Sequence, residues 1–226
     1  MIDAARAESS SKTDNEGAVQ ARVSRGVDGW FRAIDRETMF AFESRATEGR
    51  ELERIRAPLG GVVNRVRESG EPWTKKGATP SLKLDVLGVD DAGRLLVIEV
   101  KPGHQTGTLA WTPYQVAHYM GLVQAWVQGT EDAASVLNTM LAQRQQLGLL
   151  QSGWAISSRM DLVPVIAVGL PVKSKAVDSR FQCVHEAVQD LTPALINGLE
   201  IWGVEPADRG GAIGRIELGK LCGARI

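Results

Sequence analysis

Residues 82–101 read LKLDVLGVDDAGRLLVIEVK, and the fold turns on this stretch. Leu82–Val89 and Leu95–Lys101 are apolar, strand-like runs, and Asp90-Asp-Ala-Gly-Arg94 between them has the Asp and Gly content of a hairpin loop. Side chains alternate along a strand, so Lys83, Asp85, Leu87 and Val89 share one face of the first. Leu95, Val97, Glu99 and Lys101 share one face of the second. Pairing Val89 with Leu95 sets Leu87 against Val97, Asp85 against Glu99 and Lys83 against Lys101. Directly opposed residues have Cβ atoms about 4.5–5.5 Å apart. Two carboxylates therefore stand side by side at one end of an otherwise apolar face.

Opposed like charges destabilise a sheet, so this pair needs a compensating partner. Lys101 is one candidate and a divalent cation is another. Mg²⁺ takes oxygen ligands, typically one or two carboxylates with water and substrate phosphate. It neutralises phosphate charge and acidifies a bound water, and a neighbouring ammonium would orient that water or stabilise transition-state charge. On the hairpin alone three readings stay open: metal chemistry, a buried ion-pair cluster and a solvent-facing strand end.

Upstream, Trp30, Phe31, Ile34, Met39, Phe40, Phe42, Leu52 and Ile55 fall at helical spacing. They predict two helices over about Val27–Ala57, weakened near Gly49 and followed by a turn at Pro58-Leu-Gly-Gly61. Val62–Val66 is too short to assign, and Glu68–Pro80, with Gly70, Pro72, Gly77 and Pro80, reads as a loop. Downstream, Thr112-Pro113 opens a helix to about Val127. A second helix is expected over Glu131–Leu150, a strand over Leu162–Leu170, a helix over Ser179–Leu191, and short strands over Leu199–Val204 and Ile213–Leu218. This order describes an α/β (α+β) three-layer fold, a central mixed β-sheet flanked by helices. A single domain over 17–226 is expected behind a disordered tail, 1–16.

Composition narrows the class. The chain has 226 residues, 43% hydrophobic and 23% charged, as an ordinary globular domain has. No run approaches the roughly 18 apolar residues of a membrane span, and the N-terminus lacks the apolar core of a secretory signal. Cys183 and Cys222 have no zinc-like spacing and fit a reducing compartment. A cytoplasmic location is expected. The net charge of −1 does not advertise a polyanionic partner. Between Arg45 and Lys83, however, nine basic residues face five acidic ones. That stretch suits either a nucleic-acid-facing surface or a solvated mixed-charge helix. Gly214–Lys220 mimics a phosphate-binding loop, but Leu221 replaces the required Ser or Thr, which excludes an ATPase of that kind.

Asp85, thirteen residues, then Glu99-Val100-Lys101 resembles the PD-(D/E)XK motif of restriction-endonuclease-like nucleases. That family carries the Asp on one strand and the ExK on the next. The resemblance implies that Asp85 and Glu99 bind a metal, that the Val100 carbonyl adds a ligand, and that Lys101 assists the attacking water. Gln115-Val-Ala-His-Tyr119 is similar to the Q-x-x-x-Y motif that RecB-like members carry on the helix after the ExK strand. Spacing of four puts Gln115 and Tyr119 on one helical face. Leu84 departs from the pattern, which has Pro before the Asp. The resemblance covers mainly residues 82–128, with 162–170 as the next core strand. It also implies a glutamate on the helix before the hairpin, for which Glu51 is the choice over Glu43 and Glu48.

The activity implied by the resemblance is that of a Mg²⁺- or Mn²⁺-dependent nuclease, expected to be a DNA endonuclease, with RNA left open as substrate. The alternative is a catalytically inactive nucleic-acid-binding protein of the same fold. A single site cuts one strand, so cutting both would suit a homodimer. Lys83, Lys75, Lys76 and His104, the last in the loop Pro102–Gly107, are candidates for contact with nucleic acid. His104 equally reads as a solvated loop residue, and His118 and His185 as surface or partly packed helix residues.

Overall fold

The carboxyl ends of three parallel strands, β3, β4 and β5, meet at one edge of a six-stranded mixed sheet of order β1-β2-β3-β4-β5-β6. The structure is a computed structural model and describes residues 15–27, 29–71, 73, 80–224 and 226. Its elements are α1 (Glu16–Val23), β1 (Phe31–Met39), α2 (Arg45–Arg67), β2 (Lys83–Asp90), β3 (Leu95–Lys101), α3 (Thr106–Ala110) and α4 (Thr112–Gly129). There follow α5 (Ala133–Gln146), β4 (Leu162–Gly169), α6 (Ala176–Leu191), β5 (Glu200–Val204) and β6 (Ile213–Ile216). The pairs β1/β2, β2/β3 and β5/β6 are antiparallel. Among the described residues no helix is long and apolar enough to cross a membrane.

The β2/β3 hairpin has the register that its alternation requires, with Leu87 opposite Val97 and Val89 opposite Leu95. Asp90 closes the loop: its Oδ1 accepts from the backbone N–H groups of Ala92 and Arg94, at 3.1 and 2.8 Å. Strands β3 and β4 are near-continuous apolar runs because both sheet faces are covered. On one face Val19 and Val23 of α1 pack with Val86, Ile98, Val100 and Val165. On the other, apolar residues of α2, α4 and α6 pack with Leu87, Val89, Leu95, Val97 and Ile166. The molecule is thus an α+β protein in three layers.

Two upstream expectations are corrected. Phe31–Met39 is a strand and not a helix. Phe31 and Ala33 join one core and Ile34 the other, so the apolar residues serve both faces of a sheet. The outer edge of β2 demands backbone partners, and pairing with β1 outweighs the local helical spacing. Helix α2 runs straight through the expected turn at Pro58–Gly61 and includes Val62–Val66. Leu52, Ile55, Leu59, Val62 and Val66 form an unbroken apolar stripe along it. Burying that stripe exceeds the propensity cost of an interior proline, about 3 kcal/mol.

The N-terminal boundary also moves. Glu16 already belongs to α1, which Asn15 caps by accepting from Ala18 N–H at 2.8 Å. Residues 1–14, and most of the loop expected over 68–80 with Lys75 and Lys76, lie outside the described residues.

Candidate active site

Asp85 stands at the register position opposite Glu99, but the backbone ladder of the hairpin ends one pair earlier, at Val86–Ile98. The Asp85 carboxylate bridges the gap itself, its Oδ2 accepting from Val100 N–H at 2.8 Å. On the β1 side, Glu37 stands opposite Asp85, yet it adopts a left-handed backbone (φ 57°) and drops out of the pairing between Arg36–Val86 and Thr38–Leu84. A side chain reaches Asp85 there too: Gln20 Nε2 of α1 donates to its carbonyl at 3.0 Å.

Glu99 and Lys101 are buried, at 2% and 6% exposure. Lys101 Nζ donates to Glu99 Oε1 at 2.6 Å and to the Val100 carbonyl at 3.1 Å. Glu99 Oε2 has no hydrogen-bond partner. Its carboxyl neighbour, Asp85, can bond to it only when one of the two carries a proton. Burial first, and then the Asp85 charge, push Glu99 up to about 8 against the pull of Lys101. The proton concerned belongs to the carboxyl pair, since the ammonium occupies the other Glu99 oxygen. Burial alone would lower the Lys101 ammonium, but Glu99, Asp85 and Glu16 together raise it.

Helix α4 supplies the remaining groups. The Tyr119 hydroxyl lies 3.3 Å from Ser81 Oγ. Burial, then the charges of Glu99 and Asp85, raise it well above the usual phenol range. Gln115, one turn earlier, is buried with its Oε1 unpartnered. The structure thus brings Asp85, Glu99, Lys101 and Tyr119 together, with Gln115 on the same helix.

Glu51 is not brought to this cluster. It pairs with Arg54 at 2.9 Å and lines a separate cavity of about 510 Å³ with Phe40, Phe42, Glu43 and Trp126. Glu48 sits in the first turn of α2. The upstream acid whose charge reaches Lys101 is Glu16, on α1. Sequence reading missed Glu16 and Gln20 because α1 has eight residues and only Val19 and Val23 as large apolar positions. The available signal was Asn15 as an N-cap ahead of an acidic first turn.

Other candidates lie nearby or are reassigned. Lys83 is exposed and 3.1 Å from the Glu37 carboxylate. His104 is exposed in the loop after β3. That loop is wedged against the one after β4, because Gly103 has no room for a Cβ beside the Gly169 and Pro171 carbonyls. His118 is corrected from a surface or partly packed residue to a fully buried one, with neither ring nitrogen partnered. Burial, then Arg56, hold it down to about 4. His185 is half-buried, as expected.

Among the described residues no three His, Cys, Asp or Glu side chains gather as a metal cluster. The site offers instead two carboxylates and a main-chain carbonyl, an all-oxygen set that suits Mg²⁺ or Mn²⁺. Glu99 Oε2 is the observation that fits a cation: it is buried against a second carboxyl with no other donor, and a cation would replace the proton the pair otherwise shares. No family model matches the chain, and no curated protein or solved structure matches it significantly.

Proposed function

We propose that this protein is a Mg²⁺- or Mn²⁺-dependent nuclease of the PD-(D/E)XK, restriction-endonuclease-like kind, acting on DNA as an endonuclease. The observation that carries the reading is the buried Glu99 carboxyl, whose Oε2 faces the Asp85 carboxyl with no other donor while its Oε1 accepts from Lys101. The mixed sheet supports it, with Asp85 and the ExK on adjacent strands and Gln115 and Tyr119 on the long helix that comes after them.

Asp85, Glu99 and the Val100 carbonyl would hold the ion. Once bound, it would supply charge neutralisation at the phosphate and an acidified water. Lys101 keeps an ammonium in a dry setting, where its charge acts most strongly on a developing phosphorane. Tyr119 stays protonated at neutral pH and is a hydrogen-bond donor there. Gln115 Oε1 is a free acceptor for a water proton.

A structural ion cluster is the second reading, favoured by the 2.6 Å bond between Lys101 and Glu99. It leaves Gln115 Oε1 unsatisfied and Glu99 Oε2 dependent on a proton shared with Asp85, which a cluster serving only stability would not do. The test is incubation with labelled duplex, single-stranded and branched DNA and with RNA, in Mg²⁺, Mn²⁺ or EDTA. Cleavage that requires the metal and is lost in Asp85→Ala and Glu99→Ala is expected. Binding without cleavage of any substrate would identify an inactive binder. Absence of cleavage together with no Mn²⁺ uptake by calorimetry would identify the ion cluster.

A further inference from the structure

Asp85 is a site residue whose place neither neighbouring strand pairing sets. The β2/β3 ladder ends at Val86, and Glu37 opposite it on β1 leaves the pairing. Two side-chain hydrogen bonds hold it instead, one made by its own carboxylate and one received from Gln20. Gln20 is 5% exposed and spans three elements: from α1, its Nε2 reaches the β2 carbonyl while its Oε1 accepts from Arg36 Nη2 of β1 at 3.0 Å.

The amide orientation is dictated by chemistry. A guanidinium has only donors and keeps its charge. Oε1 must therefore face Arg36, which leaves Nε2 for the Asp85 carbonyl. The flipped amide would set donor against donor and acceptor against acceptor. We propose that Gln20, oriented by Arg36, is a positioning residue for Asp85, fixing the carboxylate that would bind the metal. This role rests on the metal-site reading of Asp85 and Glu99. Gln20 lies on the sheet face opposite α4, which bears Gln115 and Tyr119, so it acts through the strand backbone. Val19 and Val23 anchor α1 independently, and Arg36 is exposed, so both positions can be varied in a folded chain.

The experiment pairs Mn²⁺ titration by calorimetry with amide hydrogen exchange in Gln20→Leu, Arg36→Met and Arg36→Lys. Gln20→Leu is expected to lose about tenfold or more in Mn²⁺ affinity, as loss of an outer-shell hydrogen bond commonly does. Exchange of Val100 N–H, which the Asp85 carboxylate covers, should quicken relative to Ile98 N–H on the same strand. Arg36→Met should shift both readings in the same direction, and Arg36→Lys, which keeps a donor, should restore them. A folded Gln20→Leu chain with unchanged Val100 exchange overturns the proposal. If Gln20→Leu does not fold, the Arg36 pair decides, and equal Val100 exchange in Met, Lys and wild-type chains overturns it. Should the wild-type protein take up no Mn²⁺, the metal reading falls, while Val100 exchange still decides the role of Gln20.

Discussion

If the Lys101 ammonium acts on the transition state more than on the bound substrate, Lys101→Ala should cut slowly and bind normally. A loss of about 10²-fold or more in single-turnover cleavage is expected, with DNA affinity in Ca²⁺ little changed. Weakened binding with undiminished single-turnover cleavage would instead make Lys101 a phosphate contact. Glu99 gives a second prediction at this scale. Its proton is kept in the folded chain up to about pH 8, whereas the unfolded chain releases it near 4.5. Its contribution is complete below about 4.5 and is lost as pH rises through 8. His118 runs the other way: it stays neutral down to about 4 when folded, while the unfolded chain gains a proton below 6.5. Between pH 6.5 and 8 Glu99 acts without that opposition. Metal-free protein should therefore lose stability across this window, by up to about 1.4 kcal/mol per pH unit. Urea unfolding at several pH values measures it, and Glu99→Gln should flatten the slope.

At the scale of elements, α4, which carries Gln115 and Tyr119, packs on β3, and α2 packs across α4. The crossing is tight at Gly121, where a Cβ would come within 2.8 Å of Ile55 Cγ2. Gly121→Val should therefore force the helices apart and destabilise the protein by about 1–3 kcal/mol, read as a lower urea midpoint. An unchanged midpoint would mean that α2 can slide away from α4 at no cost. The same packing explains why α2 survives Pro58: its stripe from Leu52 to Val66 is buried against the rest of the core. The three-and-four spacing of that stripe is a local signal for one helix, which the Pro-Leu-Gly-Gly turn pattern masks.

For the whole molecule, parallel β3, β4 and β5 bring their carboxyl ends to one edge of the sheet. The loop after β4, which carries exposed Lys173 and Lys175, therefore lies at the same edge as Lys101 and His104. A nucleic acid reaching the site would pass this edge. Lys173→Glu with Lys175→Glu should weaken DNA binding across sequences and reduce the slope of log K against log salt by about two, without altering thermal stability. Unchanged affinity and slope would place the backbone track elsewhere. Near-zero net charge does not oppose this, because a local pair of cations governs phosphate contact.

The hairpin, its register, the strand pattern of β4 and the α4 helix were legible in the sequence because their signals are local. Period-two alternation, an Asp-rich loop and a Thr-Pro helix start lie within a few residues of what they determine. The same alternation put Asp85 and Glu99 on one face, and spacing of four aligned Gln115 with Tyr119. Tertiary structure alone decided the rest. Phe31–Met39 became a strand because β2 had an unpaired edge, and α2 ran through a proline because its stripe had a core to enter. Glu51 was left outside because it pairs with Arg54 and faces a separate cavity lined by Phe40, Phe42 and Trp126. Glu16 and Gln20 were brought in because two valines hold a short helix under the sheet. Such outcomes depend on contacts between residues far apart in sequence, and local signals such as the Asn15 cap or the Leu52–Val66 spacing do not say what those residues will meet.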